Sequence, residues 1–430
     1  MTALPAGEPT DAAGRLRLHR WSDRAIVAVA ITALASGFGQ SGVVAALGDV
    51  STQLGHVAPG GSIADKVGLS GTSIGVGLAI IRIASLGSLP LIGIADHFGR
   101  RRVILAVTVA GLVLTAAAAA SPGYWWFVVI FAFGRPLLSA TNALAEVMAA
   151  EETGARDRTA AIALIAAGYA AGAGLSAVIH SLAAGVLGFR GIFALALVPL
   201  AVVYALRSWV EEPARFMVAQ AAADHPTPVL GAVGPRYRRR VVILCSIFFA
   251  ISIVTGPATS FVFLYAQDVL HLVGYVSALM VVAAGVSGGL GLLVGRWLGD
   301  RIGRRPTCSA AMVAVALTPA FAYSGAKSAL VAGYILGALS GGLISPSLGA
   351  LLTELFPTSV RASVTGWSVS AGVVGAVCGL VVFGAVADVD NRFALAADVT
   401  FLPMVAAAAL FWLLPETKGR EPESLWPAAV

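Results

Sequence analysis

Two arginines stand inside apolar stretches, where that side chain is costly to keep. Arg82 lies fourteen residues before Asp96, and Arg135 sixteen before Glu151. At about 1.5 Å of rise per residue, each sits roughly 20 Å from the charged turn that closes its helix. An arginine at the centre of a membrane helix costs about 2.5–3.5 kcal/mol on insertion scales, so both are expected to face the protein interior. There a guanidinium can hold a carboxylate or another anion through forked hydrogen bonds. It can equally form a structural Arg–Glu pair between helices. Arg135, Ser139, Asn142 and Glu146 follow one another at spacings of 4, 3 and 4, which puts them on one helical face. Glu146 is the carboxylate of that stripe: a proton carrier if buried beside an arginine, an idle group if wetted. Asp49, His180, Asp268 and His271 fall near the ends of apolar stretches and read as solvated.

The chain that must position these groups is built for lipid. Of its 430 residues 58% are hydrophobic and 12% charged, with mean hydropathy +0.87. A soluble domain carries about 25% charged residues. Stretches of roughly 20 apolar residues, enough to span a bilayer, occur near 25–46, 71–95, 103–121, 124–149, 160–187, 191–209, 240–266, 275–298, 307–324, 328–352, 363–387 and 395–414. The expected fold is an all-α membrane protein of twelve transmembrane helices. The longest polar interruption, 210–239, holds Pro213, Pro226, Pro228, Gly231, Gly234 and Pro235 and runs into Arg236-Tyr237-Arg238-Arg239-Arg240. It parts a tail (1–23) and six-helix bundle (24–209) from a second bundle (240–414) and tail (415–430).

The formal charge of +6 records orientation, not nucleic-acid binding. Most arginines fall at one face of this topology, whereas Lys66, Arg190, Lys327 and Arg392 fall at the other. The positive-inside rule places the richer face, with both termini, in the cytoplasm of a multi-pass cell-membrane protein. Residues 1–23 have no signal-peptide pattern. Cys245, Cys308 and Cys378 have no metal-ligand or disulfide spacing. There is no H-E-x-x-H, no G-x-S-x-G and no phosphate loop, so neither an enzyme nor a cofactor or metal site is expected.

The two halves repeat. Asp96-His97-Phe98-Gly99-Arg100-Arg101 returns 204 residues later as Asp300-Arg301-Ile302-Gly303-Arg304-Arg305. Glu151 and Arg158 stand seven apart in the first half, and Glu354 and Arg361 seven apart in the second. Glu211-Glu212-Pro213-Ala214-Arg215 closes one half; Pro415-Glu416-Thr417-Lys418-Gly419-Arg420 closes the other. These motifs resemble the loop and helix-end signatures of the major facilitator superfamily, closest to its sugar-porter and metabolite–proton symporter branches. The departures are as informative. Ile92 and Arg296 stand where the loop motif usually opens with glycine. Span seven lacks the sugar-porter glutamine pair, span ten has Ser345-Pro346-Ser347 for Gly-Pro-x-x-Trp, and span five lacks the antiporter Gly-Pro pair.

The resemblance implies two pseudo-symmetric bundles with the first, fourth, seventh and tenth helices around a central cavity, and span four as the family's arginine helix. Gln40, Thr255 and Tyr265 would then join Arg82, Arg135 and Asn142 as substrate contacts, with Glu146 coupling the proton. Pro257 and Pro346 would kink two of those helices. Asp96, Gly99, Arg100, Arg101, Glu151, Arg158, Asp300, Gly303, Arg304, Arg305, Glu354 and Arg361 would form a cytoplasmic gate. In it Asp96 would cap the helix beginning near Arg361, and Asp300 the one near Arg158. The function so implied is secondary active transport of a small anionic metabolite by alternating access and proton symport. The partners are substrate, protons and the bilayer, and a monomer suffices. The alternative is proton-coupled efflux.

Overall fold

The computed structural model describes residues 19–56, 67–154, 157–214, 216–217, 231, 233–389 and 391–420. Among them, eleven helices are long and apolar enough to cross a bilayer. In chain order these are α1 (Arg24–Ala45), α2 (Gly71–Phe98), α3 (Arg100–Ala120), α4 (Tyr124–Glu152), α5 (Ala160–Ala183), α6 (Gly185–Leu206), α7 (Pro235–Val269), α8 (Gly274–Ile302), α10 (Lys327–Glu354), α11 (Ser363–Ala387) and α12 (Phe393–Leu413). The remaining predicted span is α9 (Arg304–Ala322), a helix of 19 residues.

Each half packs on itself through small residues. Gly168 and Gly172 of α5 lie directly on the backbone of Ala30 and Leu34 in α1. In the second half Gly375 and Gly379 of α11 lie on Phe249 and Ile253 of α7 in the same way. With no hydrophobic drive between helices in lipid, such close backbone approach supplies the association. α2 turns sharply into α3 at Gly99 (φ 95) and α8 into α9 at Gly303 (φ 114), a conformation side-chain-bearing residues avoid. These two turns define the motif face of the molecule; the opposite side is the far face.

Pro346 lies within the continuous helix α10. Pro257 instead precedes the point where the regular part of α7 stops, at Ser260. The chain then passes through Val262–Leu264 into a π-helical turn, Tyr265–Val269. This segment packs against α1 and the short helix Leu47–Leu54 of the first half.

The halves meet through α2 with α11 and α5 with α8, and these contacts gather at the far face. Gly75 of α2 rests on the Leu380 carbonyl, and Gly384 of α11 on the Gly71 carbonyl. Gly274 at the start of α8 rests on the Ser181 carbonyl of α5. Asp388, just past α11, caps α2: its carboxylate accepts from Gly71 N at 2.7 Å, Thr72 N at 3.2 Å and the Thr72 hydroxyl at 2.8 Å. Hydrogen bonds to a charged group are worth about 1.5–3 kcal/mol when shielded, less at this partly exposed site. Asp388→Asn is therefore expected to shift the halves roughly tenfold toward parting at the far face, read as spin-label separation between α2 and α11.

Candidate functional site

Under the far-face closure lies a cavity of about 500 Å³ between the halves. Its charged lining is Arg82 from α2 and Arg135 from α4. Gln40 and Ser41 of α1 and Thr255, Thr259 and Ser260 of α7 supply neutral polar groups; Tyr169 of α5 and Tyr334 of α10 supply rings. A pocket of roughly 300–1,000 Å³ suits a small metabolite.

Arg135 is fixed from behind. Its Nη1 donates to the Gln40 carbonyl at 3.2 Å, and Ser139 Oγ donates to Gln40 Oε1 at 3.4 Å. Gln40 Nε2 donates to Ser36 Oγ at 2.8 Å, and Ser36 donates on to the Leu138 carbonyl at 2.7 Å. This chain ties α1 to α4 and turns the guanidinium toward the cavity. Among the described residues neither Arg82 nor Arg135 belongs to an ion pair, and the Nε of each is buried without a hydrogen-bond partner. The two lie within electrostatic reach of each other and of Tyr169. A structural Arg–Glu pair between α2 and α4 is thus not what holds them.

Two expected substrate contacts and the expected proton carrier sit elsewhere. Tyr265 is 3% exposed; its hydroxyl donates to the Tyr323 carbonyl at 3.2 Å, and its ring packs on Tyr323 and Phe393. A tyrosine whose hydroxyl finds a carbonyl serves as core. Asn142 donates to Glu146 Oε1 at 3.3 Å, and neither lines the cavity. Glu146 is exposed on the surface of α4, one turn nearer the motif face than Asn142. Tyr169 and Tyr334 are lining residues that sequence reasoning missed.

At the motif face each half builds its own charge cluster. Arg100 pairs with Asp96 at 3.1 Å and with Glu151 at 2.7 Å; Arg304 pairs with Asp300 at 3.0 Å and with Glu354 at 3.6 Å. Arg101 donates to the Val210 carbonyl at 2.6 Å, and Arg305 to the Trp412 carbonyl at 2.6 Å. Arg361 bonds the nearby Phe356 carbonyl at 3.2 Å, and the Arg158 side chain lies outside the described residues. In this conformation Asp96 and Asp300 face their own arginines; the starts of α5 and α11 lie partly outside the described residues.

The capping carboxylates are Glu212 and Glu416, also 204 residues apart. Glu212 accepts from Arg100 N at 2.6 Å and Arg101 N at 3.2 Å. Glu416 accepts from Arg304 N at 2.9 Å and Arg305 N at 3.0 Å. Each seals the positive end of the helix that follows the charged turn. Their titrations diverge. Burial raises Glu212 above the ordinary carboxylate range, outweighing the Arg100 and Arg101 amides. Burial also pushes Glu416 up, but the amides of Lys418, Arg304, Arg305 and Thr417 hold it below that range. The stability Glu416 contributes is therefore present above the unfolded carboxylate range and lost as pH falls through its depressed folded value. Glu212 contributes in the reverse sense: its stabilisation is present below the unfolded value and lost as pH rises through the raised one. At neutral pH Glu416→Gln is expected to cost about 1 kcal/mol after allowance for exposure, and Glu212→Gln less. Equal losses in thermal unfolding of the two variants would contradict this.

The far-face ends also correct an expectation. His180 is buried, not solvated: its side chain is 1% exposed and its Nε2 lies 2.9 Å from Asp49 Oδ2. The carboxylate of Asp268, from the second half, lies against Gly48 beside that pair.

Two bundles of membrane helices closing on a small cavity, with charged turns repeated at one face, define a membrane transporter and not an enzyme. The chain belongs to the Major Facilitator Superfamily, whose family model matches residues 29–307 and 279–428. It is 29% identical over 299 residues to the "Probable 4-methylmuconolactone transporter" of Cupriavidus pinatubonensis, covering 66% of this chain and 68% of that one. The fold matches the inward-open conformation of the xylose transporter XylE from E. coli with TM-score 0.73 at 18% identity, over 93% of this chain and 98% of that one. A D-xylose–proton symporter matches with TM-score 0.70 at 18% identity, over 93% and 99% of the two chains.

Proposed function

We propose that this protein imports a small organic anion across the cell membrane by alternating access and proton symport. One observation carries the reading of the substrate: the two cavity guanidiniums have no carboxylate partner among the described residues. Two positive charges kept in a membrane-embedded cavity without internal compensation favour an anionic occupant that supplies it. The likeness to the "Probable 4-methylmuconolactone transporter" supports a small organic substrate. Gln40 and Thr255 would contact the neutral part of the molecule, and Tyr169 and Tyr334 would border its apolar part. Glu146, hydrogen-bonded by Asn142, lies exposed outside the cavity and is given no proton-carrying role in this reading.

The positive-inside rule makes the motif face cytoplasmic, with both termini there. The conformation described is then closed outward. Asp96, Glu151, Asp300 and Glu354 with their arginines would regroup across the halves when the cytoplasmic side closes. A single chain contains the complete cavity, so it would work as a monomer.

The test is uptake into proteoliposomes from a pooled set of organic acids, sugars and amino acids, with and without an inward proton gradient, read by mass spectrometry. Gradient-driven accumulation of acids is expected. Accumulation of neutral compounds alone would overturn the anion reading, and gradient-driven extrusion would favour efflux.

A further inference from the structure

Three titratable groups from both halves converge at the far-face closure. His180 of α5 is 1% exposed and bonds Asp49 of the short helix Leu47–Leu54 at 2.9 Å. Asp268, on the π-helical turn of α7, brings its carboxylate against Gly48; the charges acting on it are those of Asp49 and His180. No side chain stands at Gly48 to keep the carboxylates apart, and a Cβ there would collide with Asp268. The imidazole uses only one nitrogen: Nδ1 is buried with no partner among the described residues. Among the other described titratable groups at the far face, His56, Arg190, His271, Lys327 and Arg392 are exposed, with Arg190 bonding the Ala119 carbonyl at 3.0 Å and Lys327 the His271 carbonyl at 3.4 Å, and Asp388 is taken up by the start of α2.

Two carboxylates from opposing halves repel when the halves close, unless a positive charge or shared proton joins them. We propose that Asp49, His180 and Asp268 form a proton-binding site of the outer gate, filled when the two halves close over the cavity. The site rests on the alternating-access reading above and names where its coupling proton binds. On closure one proton passes from outside water to His180 Nδ1. Nε2–H stays on Asp49, and the cluster goes from two negative charges to one net negative charge. Ala173 and Ala177 share the His180 face of α5 and line the cavity. The proton therefore leaves into cavity water before the gate reopens, and its loss restores the repulsion that parts the halves.

The test is a distance measurement across the gate on the full chain in lipid nanodiscs. Cys245, Cys308 and Cys378 are first replaced by serine. Spin labels are placed at Trp125→Cys and Tyr275→Cys, exposed positions at the far ends of α4 and α8. Distances are read between about pH 5 and 8. Across that interval the closed-to-open ratio is expected to rise as pH falls, by up to about tenfold per unit for one proton. Asp268→Asn is expected to close at every pH, and His180→Gln to lose the pH response. In proteoliposomes His180→Gln should retain substrate exchange while losing gradient-driven accumulation.

A wild-type distance distribution unchanged between pH 5 and 8 would overturn the site. So would variants that respond as the wild type does, or His180→Gln retaining gradient-driven accumulation. The distance readout needs no substrate. If it responds as expected while uptake of acids fails, the gate stands and the substrate reading falls. If acids accumulate but distances ignore pH, the gate falls alone.

Discussion

Arg135→Gln is expected to lower the apparent affinity for an organic anion roughly 30- to 1,000-fold, with neutral probes unaffected. Removing one partner of a desolvated charge pair costs about 2–4 kcal/mol, much of it the cost of leaving the other charge unpaired. The guanidinium is held by Gln40, whose carbonyl takes its Nη1 at 3.2 Å, so its aim is set before the substrate arrives. That preorganisation predicts a graded series. Arg135→Lys keeps the charge but loses the planar fork and should recover only part of the affinity. Arg82→Gln should cost a similar factor, because Arg82 lines the same cavity and has no ion-pair partner among the described residues. If both arginines grasp one carboxylate, the double variant should lose less than the two single losses combined. The measurement is equilibrium binding of radiolabelled acids to purified protein that runs as one species on size exclusion. Equal losses for acids and neutral compounds would mean that Arg135 acts only by tying α4 to α1.

The sequence made some of this legible because membrane burial is so unforgiving. Arg82 and Arg135 could be placed in the interior from their distance to the charged turns, and both line the cavity. The repeat of Asp96–Arg101 at Asp300–Arg305 foretold two equivalent turns, and Gly99 and Gly303 both have positive φ. Tyrosines were not legible. Tyr265 is core, whereas Tyr169 and Tyr334 line the cavity. An amphipathic ring in an apolar helix gives no periodic signal that separates these fates. Pairings across long sequence distances were hidden as well. Asp49 and His180 are 131 residues apart, and Glu212 reaches an amide 112 residues away. Both pairs sit at helix ends, where one sequence reads equally well as solvated or docked. In this conformation the four-residue spacing of Asp96 to Arg100 and of Asp300 to Arg304 favours pairing within the same turn.

Gly75→Val is expected to move the protein out of the conformation described here. Gly75 of α2 rests on the Leu380 carbonyl of α11, a backbone group that has no rotamer to yield. The clash exists only while the two halves touch at the far face. Overpacking of this kind costs about 1–3 kcal/mol, so the closed-to-open ratio should fall about 5- to 150-fold. Gly384→Val should act alike from the other side, since Gly384 rests on the Gly71 carbonyl. Two controls separate gating from damage. Gly291→Val clashes with the Leu339 carbonyl inside the second half, so it should destabilise the fold without favouring either conformation. Gly93→Ala has no neighbour within 4 Å and should be silent. The readout is maleimide labelling of Thr255→Cys, a cavity-lining position, from the far face in a background without native cysteines. Labelling should rise at least about fivefold in Gly75→Val and Gly384→Val and stay at the wild-type rate in Gly93→Ala. Rates that stay low in both cross-half variants would show that α2 and α11 do not form the outer closure, and the cavity would then be sealed by the Val262–Leu264 segment against α1.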